Sequence, residues 1–237
     1  MIDASTETAL VEKIRQFDTP TICNAIEIAQ GGRGFNAFTK RTMFSSEPTA
    51  PPVVGFARTA RLRSNTGPTA PLEEVKALRM QYFEYLAAEH RASVAVIEDL
   101  DGDAARGAWW GEIHTAVHKA IGLSGALTNG LMRDLGSLEP GFQVIAGGIG
   151  PSHAMIHVVD FGEPVEIFGL RVRPGDLVHA DLHGAVVVPP EVYDTLPAAI
   201  DKLLELETFI LGPAREPGFT VEKLASAWAE YEAHRAQ

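Results

Sequence analysis

Arg133 and Asp134 stand side by side in the segment LTNGLMRDLGSL, directly after an apolar run and an Asn-Gly step. A guanidinium binds carboxylates in a fork, and a carboxylate oxygen is a ligand that hard divalent ions prefer. Another acidic residue, Glu112, follows Gly111 after the Gly-rich, Trp-containing stretch GDAARGAWW. These residue types point to a metal ion held together with a small organic acid.

Both segments are predicted to follow strands of an α/β sheet, where ligands commonly bind because the next helix offers free N–H groups and a partial positive charge. If the two loops share one sheet edge, Glu112 and Asp134 hold the ion and Arg133 grips the substrate. The amides that open the 112 helix then receive a carboxylate. A surface ion pair or a helix-cap carboxylate remains the alternative explanation of Arg133-Asp134.

The surrounding sequence predicts an α/β fold, because helical and strand periodicities alternate through its central part. The predicted elements are a helix at 6–17, a helix with Thr19 as N-cap and Pro20 in its first turn through about Ala29, a loop at 31–52, a strand from Val53, a helix at 71–90, a strand at 93–98, a helix at 112–121, a strand at 125–129, a short helix at 133–138 and a strand at 142–146. Several β-rich runs come next, and helical periodicity returns at 190–211 and 219–235. Without a repeat or linker, residues 1–237 are predicted to form a single domain with helical ends.

Composition excludes several classes of function. The net charge of −11 comes from 31 acidic and 20 basic residues, so nucleic acid is a poor candidate partner. No window has the roughly 18 apolar residues that a membrane span needs, and the amino terminus has no signal-peptide pattern, so we expect a cytoplasmic protein. The single cysteine, Cys23, cannot form an intrachain disulfide.

Two stretches, GEIHTAVHKAIGLSGALTNGLMRDLGSL and VRPGDLVHADLHGAVVVPPE, resemble the RraA-like family. That family includes metal-dependent 4-hydroxy-4-methyl-2-oxoglutarate aldolases, oxaloacetate decarboxylases and regulators of RNase E activity. The similarity runs from about Val94 to Glu191 and is weaker over GFARTARL. The resemblance implies a swivelling β/β/α domain, with helical N- and C-terminal segments here, assembled as a homo-trimer or hexamer.

The resemblance also implies roles for individual residues. Arg133 would bind the pyruvyl part of the substrate and polarise its carbonyl, Asp134 would ligate Mg²⁺ or Mn²⁺ directly, and Glu112 would do so through water. The backbone from Gly111 through Glu112 and Ile113 to His114 would receive the substrate carboxylate. A neighbouring subunit would contribute an acid from the region of Glu205 and Glu207.

The implied activity is a carbon–carbon lyase that releases pyruvate from a 4-hydroxy-2-oxo acid or decarboxylates oxaloacetate. Both reactions leave electrons on the pyruvate part as an enolate, which the ion and Arg133 would stabilise without a lysine Schiff base. The alternative is a non-catalytic, protein-binding regulator of the RNase E type. The lyase is preferred because a binding module has no physical need for two acidic metal positions beside an arginine.

The sequence departs from the family pattern in two places. Asn129 stands where many relatives have Asp, and either residue would support a turn before Gly130. The stretch from Arg63 to His90 is longer than usual and holds a substantial helix, which places the substrate in doubt. If this helix covers the site, Arg79, Tyr82 and Tyr85 would contact a larger substrate, although a plain packing helix is the preferred interpretation.

Other motifs suggest different chemistry. Three histidine pairs spaced by four (His114/His118, His153/His157 and His179/His183) make a zinc site conceivable. No pair has the HExxH arrangement, so structural or solvent-facing roles are preferred. Neither GGIGPSH nor GGRGFN matches a dinucleotide-binding GxGxxG. Trp109 and Trp110 are interpreted as core or subunit-contact residues rather than a pocket wall.

Overall fold

The computed structural model describes residues 4–235. The helices are α1 Ala4–Ile14, α2 Thr19–Ala29, α3 Leu72–Ala87, α4 Glu112–Ala120, α5 Leu196–Ala214 and α6 Val221–Arg235. The strands are β1 Phe44–Ser45, β2 Val53–Arg63, β3 Ser93–Asp99, β4 Ala108–Trp110, β5 Leu123–Met132, β6 Gln143–Ile149, β7 His157–Phe161, β8 Val165–Ile167, β9 Leu170–Val172, β10 Leu177–Asp181 and β11 Gly184–Val188. The predicted α/β class is confirmed.

Most strands belong to one curled sheet with the order β1-β6-β5-β3-β2-β10-β11, to which β4 is added beside β5 and β7 beside β2. Strands β2, β3, β5 and β6 run parallel. Their side chains are almost continuously buried, which is typical of parallel strands covered on both faces. The carboxyl ends of these strands therefore meet at one edge, as the sequence predicts.

Three apolar clusters hold the helices and the small β8-β9 hairpin against this sheet. One lies beneath α1, α2 and α5, another packs α3 and the two tryptophans on the sheet, and the third lies under β8 and β9. The predicted helices α1, α2 and α5 are thus integral parts of the core, whereas α6 buries only Ala227. None of the helices in residues 4–235 is long and apolar enough to span a membrane.

The predicted short helix at 133–138 is wrong. Asp134 has a φ of 56°, in the left-handed region that a right-handed helix excludes, and Ser137 N–H donates to Asp134 C=O to close a turn. The Asn-Gly step does not end β5 either. The strand continues to Met132, and its pairing with β6 becomes irregular between Thr128 and Leu131.

Asn129 and Thr19 also act differently from their predicted roles. The Asn129 side chain does not support a turn: its Oδ1 accepts from Asp99 N–H at 2.7 Å and its Nδ2 donates to Asp99 C=O at 2.9 Å. This amide therefore joins β5 to β3. The N-cap of α2 is Asp18, whose carboxylate accepts from Thr21 N–H, so Thr19 is already the first residue of the helix.

Helix α3, predicted from the long stretch 63–90, packs on the sheet through Tyr82 and Leu86, which are fully buried. Its remaining face is largely exposed. One end of this helix lies beside β7 and the loop before it, and those elements surround the candidate site.

Candidate functional site

The two loops singled out from the sequence emerge side by side. Strands β4 and β5 are parallel neighbours, with Ala108 opposite Leu131 and Trp110 opposite Met132. Arg133 N–H then donates to Trp110 C=O at 2.8 Å, which extends the pairing by one residue. Because the strands end together, the residues that follow each of them share one small region.

Asp134 bridges the two loops. Its Oδ2 accepts from Glu112 N–H at 3.2 Å and lies 3.7 Å from Nε of Arg133. A left-handed φ costs of order 1–3 kcal/mol for a residue other than glycine and persists where the surroundings over-determine it, often at functional sites. Asp is among the residues that tolerate this conformation.

Gly111 is required here by space rather than by backbone conformation, since its φ of −139° is open to any residue. A Cβ at this position would lie 2.5 Å from Oδ2 of Asp134 and 3.0 Å from Nε of Arg133. Any side chain at Gly111 would therefore displace the carboxylate or the guanidinium.

Helix α4 opens at Gly111 without a side-chain cap. Its first amide, that of Glu112, is used by Asp134. Within the described residues, the next two amides, of Ile113 and His114, donate to no backbone or side-chain acceptor outside the helix, as expected for a first turn. These groups can receive an anion. Glu112 itself is exposed at this end of the helix.

A cavity of about 240 Å³ opens beside this helix start. Its walls come from α3, β4, α4, Arg133, the loop before β7, and β7. The lining residues are Val75, Arg79, Ala108, Trp109, Ile113, His114, Arg133, His153, Ile156, His157 and Val158. The lining combines apolar walls with five cationic or cationisable side chains and contains no carboxylate, so the cavity suits a small anion.

The imidazole of His114 lies against Trp109, with ring centroids 3.9 Å apart. Burial, followed by the positive charges of Arg79 and Arg133, lowers the pKa of His114 from 6.5 to about 4. The ring is therefore neutral near pH 7. Its Nδ1 is buried and has no hydrogen-bond partner among the described residues.

The other histidine of this pair, His118, is buried beneath the site. Its Nδ1–H donates to His114 C=O at 2.6 Å, because a carbonyl can only accept. The Tyr82 hydroxyl then donates to Nε2 at 2.7 Å. Burial lowers the pKa of His118 to about 3, so both ring nitrogens are satisfied in the neutral form.

The other two histidine pairs are held by hydrogen bonds within the protein. His153 lies in a loop and His157 in β7, and each Nδ1 bonds a nearby carbonyl. His179 is buried in β10, where Nε2–H donates to Ile14 C=O and Nδ1 accepts from the Thr19 hydroxyl. Nowhere in residues 4–235 do three His, Cys, Asp or Glu side chains group as a metal cluster. The structural interpretation preferred for these pairs fits their contacts.

The structure brings together every candidate residue of the two loops, from Gly111 to His114 and Arg133 with Asp134. It adds cavity residues that were not assigned to the site from sequence. Trp109 is buried and also forms a wall, and His153 and His157 line the cavity. The sequence marks these histidines only as a pair spaced by four, and their place on the cavity wall depends on tertiary packing.

Helix α3 both packs and lines the cavity. Arg79 lies on the cavity wall, as considered from the sequence, whereas Tyr82 bonds His118 in the core. Tyr85 lies elsewhere, stacked on Phe161 with the guanidinium of Arg58 over its ring. Glu205 and Glu207 are on α5 and do not line the cavity of their own chain.

The fold and the paired loops define the class of protein. The sheet is curled and mixed, helices cover it, and the loops lie at the carboxyl ends of β4 and β5. The model of the RraA-like family, described as Aldolase/RraA, matches residues 19–187. The chain therefore belongs to the RraA-like family, which includes both aldolase or decarboxylase members and RNase E inhibitors.

Solved structures with the same fold are distant in sequence. An uncharacterized protein from Pseudomonas syringae pv. tomato str. DC3000 is 21% identical, with a TM-score of 0.68 over 92% of this chain and 93% of that one. A structure described among novel cellulases from microbes associated with the gut ecosystem is 20% identical, with a TM-score of 0.68 over 85% and 86%.

Streptomyces coelicolor RraAS2, described as an unusual member of the RNase ES inhibitor RraA protein family, is 24% identical, with a TM-score of 0.58 over 88% of this chain and 96% of that chain. These similarities establish the swivelling β/β/α RraA-like fold. No curated protein matches the sequence.

Proposed function

We propose that the protein is a divalent-metal-dependent lyase that releases pyruvate from a 4-hydroxy-2-oxo acid or from oxaloacetate. One observation carries the proposal: the ends of two adjacent parallel strands bring Arg133 and the free amides of α4 to one cavity, with Asp134 in contact with both loops beside it. A carboxylate, a fixed cation and unpaired amides together match the charges of a 2-oxo acid held beside a metal ion.

The chain's own groups would bind and orient the substrate. The amides of Ile113 and His114 would receive the carboxylate of the pyruvyl part, while the Arg133 guanidinium would face its carbonyl oxygen. Trp109 and Ile156 would exclude water from one side of the reacting carbons, which strengthens these electrostatic interactions.

In the retro-aldol direction, the bond between carbons 3 and 4 breaks and its electron pair passes to the pyruvyl part. The 4-hydroxyl group loses its proton to water and becomes a carbonyl, and carbon 3 gains a proton to give pyruvate. Negative charge develops on the 2-oxo oxygen, so a guanidinium fixed beside that atom lowers the barrier. Decarboxylation of oxaloacetate develops the same charge and needs no base.

The donor set fits Mg²⁺ or Mn²⁺. Mg²⁺ usually keeps several waters and uses one or two protein carboxylates together with its substrate. Asp134 and Glu112 offer two carboxylates, and the hydrogen bond from Glu112 N–H holds Oδ2 of Asp134 in the space beside Gly111. A bound ion would supply positive charge beside the carbonyl that Arg133 faces. Asp134 would be the direct ligand and Glu112 would bind through water.

We also propose that the chain works as a homo-trimer or hexamer. Large apolar side chains lie exposed around the ends of the site strands: Ile113 (72% exposed), Leu135 (48%), Ile149 (53%) and Met155 (55%). Such a rim suits a subunit contact. An acid from the α5 region of a neighbour, near Glu205 or Glu207, would then complete the site.

Pyruvate release tests the proposal. Wild-type protein with Mg²⁺ should release pyruvate from 4-hydroxy-4-methyl-2-oxoglutarate or oxaloacetate in a lactate dehydrogenase-coupled assay, and EDTA should abolish the signal. Asp134→Ala should lower kcat/KM by roughly 10²–10³-fold, as expected when an electrostatic stabiliser of the transition state is lost. Arg171→Gln, at an exposed position on β9, is the control and should behave as wild type.

Absence of turnover on these acids, together with absence of oxalate or pyruvate binding by calorimetry, would refute the lyase. The competing function, a non-catalytic regulator, predicts a different result. An RNA-degrading enzyme would then be captured in a pull-down, and Asp134→Ala would leave that capture unchanged.

A further inference from the structure

Arg79 lines the cavity and, in the part of the chain that the structure describes, has no carboxylate partner, unlike several arginines near the sheet. Arg41, Arg61, Arg63 and Arg91 each form an ion pair with an acidic side chain. Within residues 4–235, no carboxylate lies within ion-pair distance of Arg79. Its own helix offers none, because the positions three and four residues away hold Val75, Lys76, Tyr82 and Phe83.

The position of Arg79 is fixed by the packing of α3. Tyr82 and Leu86 anchor the helix in the core, and Tyr82 is further held by its bond to His118. Val75, one turn before Arg79, lines the same cavity. The guanidinium is therefore carried by a rigid element rather than by a mobile loop.

Two guanidiniums thus face one cavity of about 240 Å³ from different walls, Arg79 from α3 and Arg133 from the end of β5. The ring of His114 lies within the electrostatic reach of both. In the proposed function, Arg133 and the amides of α4 bind the pyruvyl part, which carries one carboxylate. Arg79 is exposed to solvent and has no carboxylate beside it in the lining, so its guanidinium is free to pair with a second negative charge on the ligand.

We infer that Arg79 binds the distal anionic group of a dianionic substrate, and so selects a 2-oxo acid that carries a second carboxylate on the part that does not become pyruvate. This inference rests on the proposed function, since it takes the pyruvyl part to lie at Arg133. It assigns substrate selection to α3, which lies in the stretch from Arg63 to His90 that is longer than usual in the family.

The test compares pairs of ligands that differ only at the distal group. For turnover, 4-hydroxy-4-methyl-2-oxoglutarate is compared with 4-hydroxy-4-methyl-2-oxopentanoate, in which a methyl group replaces the distal carboxylate. For binding without turnover, 2-oxoglutarate is compared with 2-oxopentanoate by calorimetry in Mg²⁺ buffer. Wild-type protein should prefer each dianion, and added salt should weaken that preference.

Arg79→Gln should raise KM and Kd for the dianions roughly tenfold, because a charge-assisted hydrogen bond at a partly solvated site is lost. The same variant should change KM and Kd for the monoanions little, and kcat should stay close to that of wild type. Arg79→Lys should restore part of the preference. Arg171→Gln removes the same charge from a distant exposed site and should leave all values unchanged.

The outcomes separate the two proposals. A preference for dianions that persists in Arg79→Gln overturns the role of Arg79 and leaves the lyase standing. Equal loss of dianion and monoanion binding also overturns it, because that result indicates a general disturbance of the site. If neither acid binds to wild-type protein, the pyruvyl site itself is refuted and the inference falls with it.

Discussion

His114 and His118 lie one turn apart on α4, yet their surroundings are opposite. His118 is buried with both ring nitrogens bonded, one to a carbonyl and one to the Tyr82 hydroxyl. His114 lines the cavity together with Arg79 and Arg133, and its buried Nδ1 has no hydrogen-bond partner within residues 4–235. A fully bonded network specifies a fold, whereas a buried polar atom left unpaired beside a cavity is a feature that functional sites tolerate.

The largest effect on activity should come from adding a side chain at Gly111, in the loop that leads to the cavity. Gly111→Ala should lower kcat/KM roughly 10²-fold or more, because its Cβ would displace Asp134 or Arg133 by close to an ångström. Circular dichroism and the melting temperature should stay near those of wild type. Gly212→Ala is the matched control, since a Cβ there meets no other atom and the position is helical. Wild-type activity in Gly111→Ala would contradict the proposed contact.

A smaller effect, on stability, is expected from removing the hydrogen bond to the buried His118. Tyr82→Phe should lower the free energy of unfolding by about 1–3 kcal/mol, because Nε2 of His118 would lose its donor inside the core. Urea unfolding monitored by fluorescence measures this. Tyr231→Phe, on the outer helix α6, should change stability by less than about 0.5 kcal/mol. Equal stability of Tyr82→Phe and wild type would show that this bond contributes little.

The smallest effect concerns pH. His118 has a pKa of about 3 in the folded state against an ordinary value of 6.5, so below pH 6.5 the unfolded chain binds a proton that the folded chain does not. Its stabilisation is complete above pH 6.5 and is lost as the pH falls towards 3. Between pH 6.5 and 5.0 this amounts to about 1–2 kcal/mol.

The matched experiment measures urea unfolding at both pH values for wild type and His118→Gln. The variant should lose less stability on acidification than wild type, although it is less stable at pH 6.5. His114 and His179 keep their own contributions in both proteins, because their pKa values are also lowered. An identical loss in the two proteins would show that His118 is protonated equally in the folded and unfolded states.

The sequence predicted the parts of the site that follow strands directly. Periodicity located α4 and β5 closely enough to place Glu112 beside Arg133-Asp134, because parallel strand ends share an edge. It missed β4, whose three residues lie in a stretch predicted to be loop. Arg79 was noted only as one of three side chains on a helix of unknown position. Its place on the cavity wall depends on how Tyr82 and Leu86 seat that helix, and no local pattern contains that information.

Two errors arose where a local sequence pattern was overridden by tertiary contacts. Asn-Gly is a strong turn signal, yet here Gly130 lies in an irregular part of β5 and Asn129 satisfies the backbone of β3. The residues after Met132 have helix-compatible composition, but Asp134 takes a left-handed conformation that its bond to the start of α4 stabilises. Contacts between distant segments decided both conformations.

The amide of Asn129 has a further consequence for the protein's tolerance to change. Side chains along a strand alternate between its two faces, so a chain shifted by a single residue presents the opposite set to each face. Asn129 bonds β5 to β3 only four positions before Arg133. Gly130, in the irregular part of β5, lies between them. Deleting or inserting one residue between Asn129 and Arg133 would therefore exchange the faces to which Arg133 and Asp134 point. The rest of the sheet would stay aligned.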